Sequence, residues 1–198
     1  GVVDGFSGTA SGLAGFINVD ALVGGAAVDA INGLNAVATW TITGASTATY
    51  HSGNTLLVSG FETMTGGSAV DTLTFAGTGN VTVTGMGALD GFIVAEALFT
   101  GEFRNINTIL GTAGLDTLTG LNANATWAVT NATDGTYSTT RSLLFSNVET
   151  LIGGNANDTL SFSTFASPRN ITILAAGAVD GFNISEVAFM GQFRNINT

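Results

Sequence analysis

The sequence predicts an all-β chain coiled into a parallel β-helix, or β-solenoid. Three observations predict it. Short segments alternate apolar residues with Thr, Ser or Asn, glycine-rich turns separate them, and the pattern returns about every 44 residues. Alternation of period two is the mark of a strand with one buried face.

The strands read off in order as "TWTIT" (39–43), "TLLVS" (55–59), "DTLTF" (71–75), "NVTVT" (80–84), "TWAVT" (126–130), "DTLSF" (158–162) and "NITIL" (170–174). Gly-Gly, Gly-Asn and Asp-Gly mark turns between them. No segment keeps a helical period; the best helical candidate, "IVAEALF" (93–99), also reads as a strand and a turn.

Four segments align: "VDALVGGAAVDAIN" (19–32), "FETMTGGSAVDTLT" (61–74), "INTILGTAGLDTLT" (106–119) and "VETLIGGNANDTLS" (148–161), with starts 42, 45 and 42 residues apart. Above this period sits a longer one of about 88 residues, because "GLNAVATW" (33–40) returns as "GLNANATW" (120–127). A further module, "GVVDGF" (1–6), recurs as "GALDGF" (87–92) and "GAVDGF" (177–182), and two copies continue to "FRNINT". The chain therefore reads as one repeat-built β domain, with repeat 1 at about 17–105, repeat 2 at about 106–195 and a partial module at 1–16. It begins and ends in the same phase, and a first residue of Gly1 rather than methionine reads as a mature or excised piece of something longer.

A period of 42 to 45 residues fits two β-helix coils of roughly 20 residues each. Val19, Phe61, Ile106 and Val148 then stack inside, as do Leu22, Met64, Ile109 and Leu151, and Ile31, Leu73, Leu118 and Leu160. The alternative is two tandem β-sandwich modules. The detectable half-period favours the solenoid, since a sandwich has no reason to repeat its own halves.

Composition narrows the function. Apolar residues make up 45% and charged residues 9% of the chain, which excludes disorder. The net charge is −10, and all four basic residues are arginines, so nucleic acid and anionic membranes are not expected partners. No apolar run is long enough to insert in a bilayer. Cysteine is absent, which removes disulfides and thiolate metal sites.

"GTAGLDTLTG" (111–120) resembles the glycine-rich nonapeptide of hemolysin-type calcium-binding (RTX) proteins, G-G-x-G-x-D-x-U-x. Gly111, Gly114, Asp116 and Leu118 match, and Thr112 departs. The other three copies keep the leading glycines and Asp29, Asp71 or Asp158, but Ala27, Ala69 and Ala156 replace the third glycine. The wider cassette resembles the repeat arrays of giant bacterial secreted and cell-surface proteins, adhesin-like and similar to filamentous haemagglutinins. That resemblance implies an extracellular location at the bacterial cell surface, contact with surface glycans or other cells, and assembly as a homo-oligomer or filament.

Two readings of the aspartates stay open. Asp29, Asp71, Asp116 and Asp158 can contribute to calcium sites, which require six to eight oxygens. On the expected two-coil spacing they would lie about 10 Å apart, too far to share one ion. Alternatively each aspartate caps its own turn, and the glycines serve to allow positive φ. Asn18, Asn105 and Asn195 share a column, read as hydrogen-bonded asparagines. For end-to-end association the candidate contacts are Asp4 and Phe6 at one end and Arg194, Asn195 and Asn197 at the other. Catalysis has little support: His51 is the only histidine and most acids recur with the repeat, so no enzyme is expected. A polysaccharide-acting β-helix enzyme using two carboxylates is the remaining catalytic reading.

Overall fold

The computed structural model describes residues 4–165 and 167–198; the first three residues of "GVVDGF" and Ala166 lie outside the described part. A hairpin of β1 (Phe6–Ala10) and β2 (Leu13–Val19) comes first. Four half-repeats follow, each made of two single strands and a three-strand antiparallel meander. The first holds β3 (Ala21–Val23), β4 (Ala30–Asn32), β5 (Ala38–Gly44), β6 (Thr47–Ser52) and β7 (Asn54–Ser59). The second holds β8 (Thr63–Thr65), β9 (Asp71–Phe75), β10 (Asn80–Met86), β11 (Phe92–Glu96) and β12 (Glu102–Ile106). The third holds β13 (Thr108–Leu110), β14 (Thr117–Thr119), β15 (Ala125–Val129), β16 (Gly135–Ser138) and β17 (Ser142–Ser146). The fourth holds β18 (Thr150–Ile152), β19 (Asp158–Ser161), β20 (Ile171–Ala176), β21 (Phe182–Glu186) and β22 (Gln192–Ile196). Among the described residues there is no helix, and "IVAEALF" is strand β11 and a turn.

Two ten-stranded sheets face each other. One runs β3-β7-β6-β5-β9-β13-β17-β16-β15-β19, the other β4-β8-β12-β11-β10-β14-β18-β22-β21-β20. Successive half-repeats place their meanders in opposite sheets, as a two-fold screw would. This accounts for the period of about 88 residues: only every second half-repeat lies in the same sheet. Each sheet runs unbroken through both repeats, so the tandem-sandwich alternative does not hold.

The expected 20-residue coils are not what forms. Parallel partners lie 33 to 42 residues apart, as in Ala30↔Thr63 and Thr150↔Gln192. The meanders lengthen each turn and supply antiparallel pairing within a parallel solenoid. The expected core columns do face inward, but equivalent residues enter from alternate sheets and so are not neighbours. The contiguous columns mix strand types instead: Trp40, Leu73, Ile109 and Phe145 in one sheet, and Val81, Leu118, Leu151 and Phe193 in the other. Nearly all of these side chains are fully buried, and the threonines between them face out. Trp40 packs on Tyr50 and Trp127 on Tyr137, each at 4.5 Å between ring centroids. Each tyrosine hydroxyl then accepts a turn amide, Leu34 N–H at 2.8 Å and Leu121 N–H at 2.9 Å. The two tyrosine rings can be buried here because their hydroxyls find partners.

Every meander ends in a left-handed residue: Gly60 (φ 66°), Asn105 (59°), Asn147 (53°) and Asn195 (54°), with Asn18 (56°) in β2. Only glycine and, at lower cost than other residues, asparagine adopt this conformation readily. The kink turns the chain out of one sheet and into the other; a single residue, Asn107, separates β12 from β13. Asn105, 1% exposed, also donates from Nδ2 to Gly66 O at 3.0 Å and accepts Leu89 N–H at 3.3 Å. Replacing it with alanine adds left-handed strain and strands buried polar atoms, at a cost of about 2–4 kcal/mol. Asn105→Ala should therefore lower the thermal midpoint by roughly 6–12 °C, and Asn105→Gly and Asn18→Ala, the first without left-handed strain and the second without buried polar atoms left unpaired, by about half as much. Calorimetry on the three variants checks this ordering.

Candidate functional site

The aspartate corners join the two sheets. Asp29 precedes β4 and Asp116 precedes β14, whereas Asp71 opens β9 and Asp158 opens β19. They therefore alternate between the two side walls. On one wall, equivalent aspartates are separated by five strand steps, about 24 Å at 4.8 Å per step, rather than the 10 Å expected from two coils.

Three of the carboxylates bond within the backbone frame. Asp29 Oδ2 accepts Gly25 N–H at 2.5 Å, and Asp116 Oδ2 accepts Thr112 N–H at 2.6 Å while its Oδ1 accepts Gly79 N–H. Asp158 accepts Gly154 N–H at 2.8 Å and Trp127 Nε1–H at 3.2 Å. Asp71 is fully buried, and neither its oxygens nor the indole nitrogen of Trp40, the counterpart of Trp127, makes a hydrogen bond.

The aspartate amides are held from the next turn. Glu62 Oε2 accepts Asp29 N–H and Glu149 Oε2 accepts Asp116 N–H, both at 2.8 Å. Asn107 Oδ1 accepts Asp71 N–H at 2.8 Å and Asn197 Oδ1 accepts Asp158 N–H at 2.9 Å. The asparagine clips reach a second acid as well: Asn107 Nδ2 donates to Asp90 Oδ2 at 3.2 Å and Asn197 Nδ2 to Asp180 Oδ2 at 3.0 Å. Sequence reasoning missed Glu62, Asn107 and Glu149 as a set, although they occupy one polar column of the aligned repeats.

The corner glycines are not in the left-handed region. They are required for close approach instead. A Cβ on Gly24 would lie 1.9 Å from Gly60 O, and one on Gly111 would lie 1.8 Å from Asn147 O. The carbonyls of Gly60, Asn147 and Asn195 thus press against the first glycine of the neighbouring corner, whereas a Cβ on Gly66 would meet the Asp71 carboxyl.

Calcium takes six to eight oxygens, from carboxylates and carbonyls alike. Each corner offers one recurring carboxylate, three of the four already accept backbone amides, and among the described residues no three Asp, Glu, His or Cys side chains converge.

The candidate association residues sit at different depths. Asp4 is exposed and donates its N–H to Asn18 Oδ1 at 3.0 Å. Phe6 is half-buried, its ring 5.5 Å from that of Tyr50. Arg194 is exposed and contacts Gln192 at 3.4 Å, while Asn195 is 4% exposed and donates to Gly153 O at 3.3 Å. Arg194 and Asn195 lie in β22, which is interior to its sheet, and Asn197 follows it. The outermost strands are β3 and β4 at one end and β19 and β20 at the other. A cavity of about 790 Å³ opens between hairpin β1–β2 and strands β3 and β4, with Trp40 and Tyr50 among its lining. At the other end an apolar cleft of about 220 Å³ is lined by Leu160, Ile171 and Ile173.

No family model, no curated protein and no solved structure matches this chain.

Burial, with the nearby Asp90 charge adding to it, pushes Asp71 up to about 7; burial, with Asp180, pushes Asp158 up to about 6. A carboxyl whose pKa is raised by folding stabilises the fold fully below its unfolded value, and that contribution is lost as pH rises through the folded value. Stability should therefore fall between about pH 4 and 7. Asp71→Asn removes a share of this slope, so its thermal midpoint should gain on wild type between pH 4 and pH 8. Parallel midpoint–pH curves for the two proteins would show that Asp71 does not titrate in this way.

Proposed function

We propose that this chain is a structural and adhesive segment of the extracellular bacterial surface, a part of a filament, sheath or adhesin that associates end to end. The observation that carries the reading is the propagating ladder. Each added half-repeat makes the contacts its predecessor made two half-repeats earlier, so the architecture has no inherent stopping point. A head-to-tail contact of such units extends as an open filament unless its rotation closes. Outward rows of threonine and short polar side chains, on a chain of net charge −10, give long faces suited to surface glycans or other cells and unsuited to phosphate backbones.

Three of the four corner acids serve backbone amides, which supports a scaffold over a polysaccharide-acting enzyme; His51, exposed, is paired with Thr55 at 3.0 Å. Electron microscopy and light scattering on purified chain, with and without EDTA, test the proposal. The expected result is concentration-dependent linear assembly that survives EDTA. Assembly or folding that collapses on chelation would favour a calcium-dependent module instead, and a monodisperse monomer at all concentrations would remove the filament reading.

A further inference from the structure

The outer faces of the two ten-stranded sheets differ in charge. Side chains that leave the sheet running from β4 to β20 include Glu102, Arg104 and Arg194. In the sheet running from β3 to β19, no outward residue of any strand is Asp, Glu or Arg, and His51 is the one ionisable side chain on that face. The acids of its strands, Asp71 and Asp158, open β9 and β19 and are fully buried. On a chain of net charge −10, this is a face ten strands wide that carries neither carboxylate nor guanidinium.

At the centre of that face the register makes a grid. Thr39 pairs with Thr72, and Thr72 with Thr108, across the parallel strands β5, β9 and β13. Two residues on, Thr41 pairs with Thr74, and Thr74 with Leu110. Five of the six positions are therefore threonine, and all five are partly exposed. Neighbours lie about 4.8 Å apart across the strands and about 6.6 Å apart along each strand. Parallel pairing keeps these intervals even, without the wide and narrow pairs of an antiparallel ladder. Among the described residues the hydroxyls at the margin have partners, Thr43 donating to Thr47 and Thr55 meeting His51 Nδ1, both at 3.0 Å, whereas those of the five bond no other protein group. Branching at Cβ restricts each χ1, so hydroxyl and methyl hold their places. No aromatic ring lies on the face, since both tryptophans and both tyrosines are buried.

We propose that this face binds ice, with the threonine grid of β5, β9 and β13 laid against the crystal. A crystal repeats its oxygen positions at fixed intervals, so the surface that meets it must repeat as well. Both spacings of the grid are close to oxygen–oxygen repeats of the ice lattice. The unpartnered hydroxyls donate and accept, and can each stand at a lattice site. The methyls between them order the adjoining water layer, because apolar surface restricts the orientations of first-shell water. Charge complementarity points the same way: ice is neutral, and a carboxylate or guanidinium would have to shed its own hydration shell to fit. Side chains already held in one rotamer lose little freedom on contact. A neutral glycan would gain most from a ring to lie on, and this face has none. Ice binding does not need end-to-end association, because the grid lies along the body of the solenoid.

Nanolitre osmometry and recrystallisation assays on the purified full chain test this. The expected result is a gap between the melting and growth temperatures of a seed crystal that widens with protein concentration, with faceted crystals and slowed recrystallisation. Thr74→Lys places a charge in the grid, so at least about tenfold more protein should be needed for the same effect. Thr119→Lys, at an outward position of β14 in the other sheet, should leave the effect unchanged. Leu110→Thr, at a side chain 38% exposed, completes the grid and should strengthen it. Circular dichroism and thermal midpoints verify that each variant is folded; if Thr74→Lys is not, the gain from Leu110→Thr carries the test. Seed crystals that grow unhindered at millimolar protein overturn the proposal, and so does equal loss from Thr74→Lys and Thr119→Lys. Retention on an insoluble neutral polysaccharide that Thr74→Lys abolishes, with no effect on ice, gives the face to a glycan and overturns it too. Filament formation should be the same in Thr74→Lys and wild type, so the end-to-end reading and this one fail separately.

Discussion

The backbone amide of each corner aspartate points out of its own turn, and a side chain from the following turn accepts it: Glu62 for Asp29, Asn107 for Asp71, Glu149 for Asp116, Asn197 for Asp158. A buried amide without a partner would cost roughly 1–3 kcal/mol at every crossover. The clip therefore makes each turn depend on the next one, and the rest of the fold follows from that dependence. To reach the corner, the clip residue must stand two positions after the left-handed residue that ends a meander. To sit beside the kinked carbonyl, the corner must begin with a residue lacking Cβ. Glycine, aspartate, left-handed asparagine and clip are one device repeated along the molecule.

The device also explains why the acids are not interchangeable. The two walls use different clips. Glutamate accepts the amide on one wall, whereas asparagine accepts it on the other and donates onward to Asp90 or Asp180. Asp71 and Asp158, on the asparagine wall, combine burial with a neighbouring acid and are the corners whose pKa is pushed up. By contrast Glu186 is held low: burial opposes ionisation, but the Arg169 guanidinium at 2.7 Å and the Ala188 and Phe189 amides outweigh it. A strongly acidic chain thus keeps its buried carboxyls by giving each a specific donor, with Asp71 the exception.

A solenoid concentrates its unsatisfied chemistry at its ends. Along the body every strand has two neighbours, so the sheets have no free edge to offer. At the ends β3, β4, β19 and β20 keep one edge each, and apolar side chains such as Ile171 and Ile173 lie open beside them. Edges of this kind invite strand addition unless something blunts them. Hairpin β1–β2 lies beside one end without joining either ten-stranded sheet.

Period-two alternation, tight turns and the 44-residue recurrence were enough to establish an all-β repeat chain, its inward-facing residues and its four corners. The turn caps of Asp29, Asp116 and Asp158 were legible because each bonds an amide only four residues away; Asn105 and Asn195 were legible as hydrogen-bonded asparagines, whereas their left-handed backbone was not. Which sheet each strand joins was not legible, because an alternating strand buries the same face in either sheet and in either direction. Tertiary structure alone decided that the meanders pair antiparallel and that successive half-repeats swap sheets. It also turned glycines expected to relax φ into glycines that admit a carbonyl, and aspartates expected 10 Å apart into aspartates about 24 Å apart on one wall. Those distances follow from pairing order across the sheets, which no local pattern encodes.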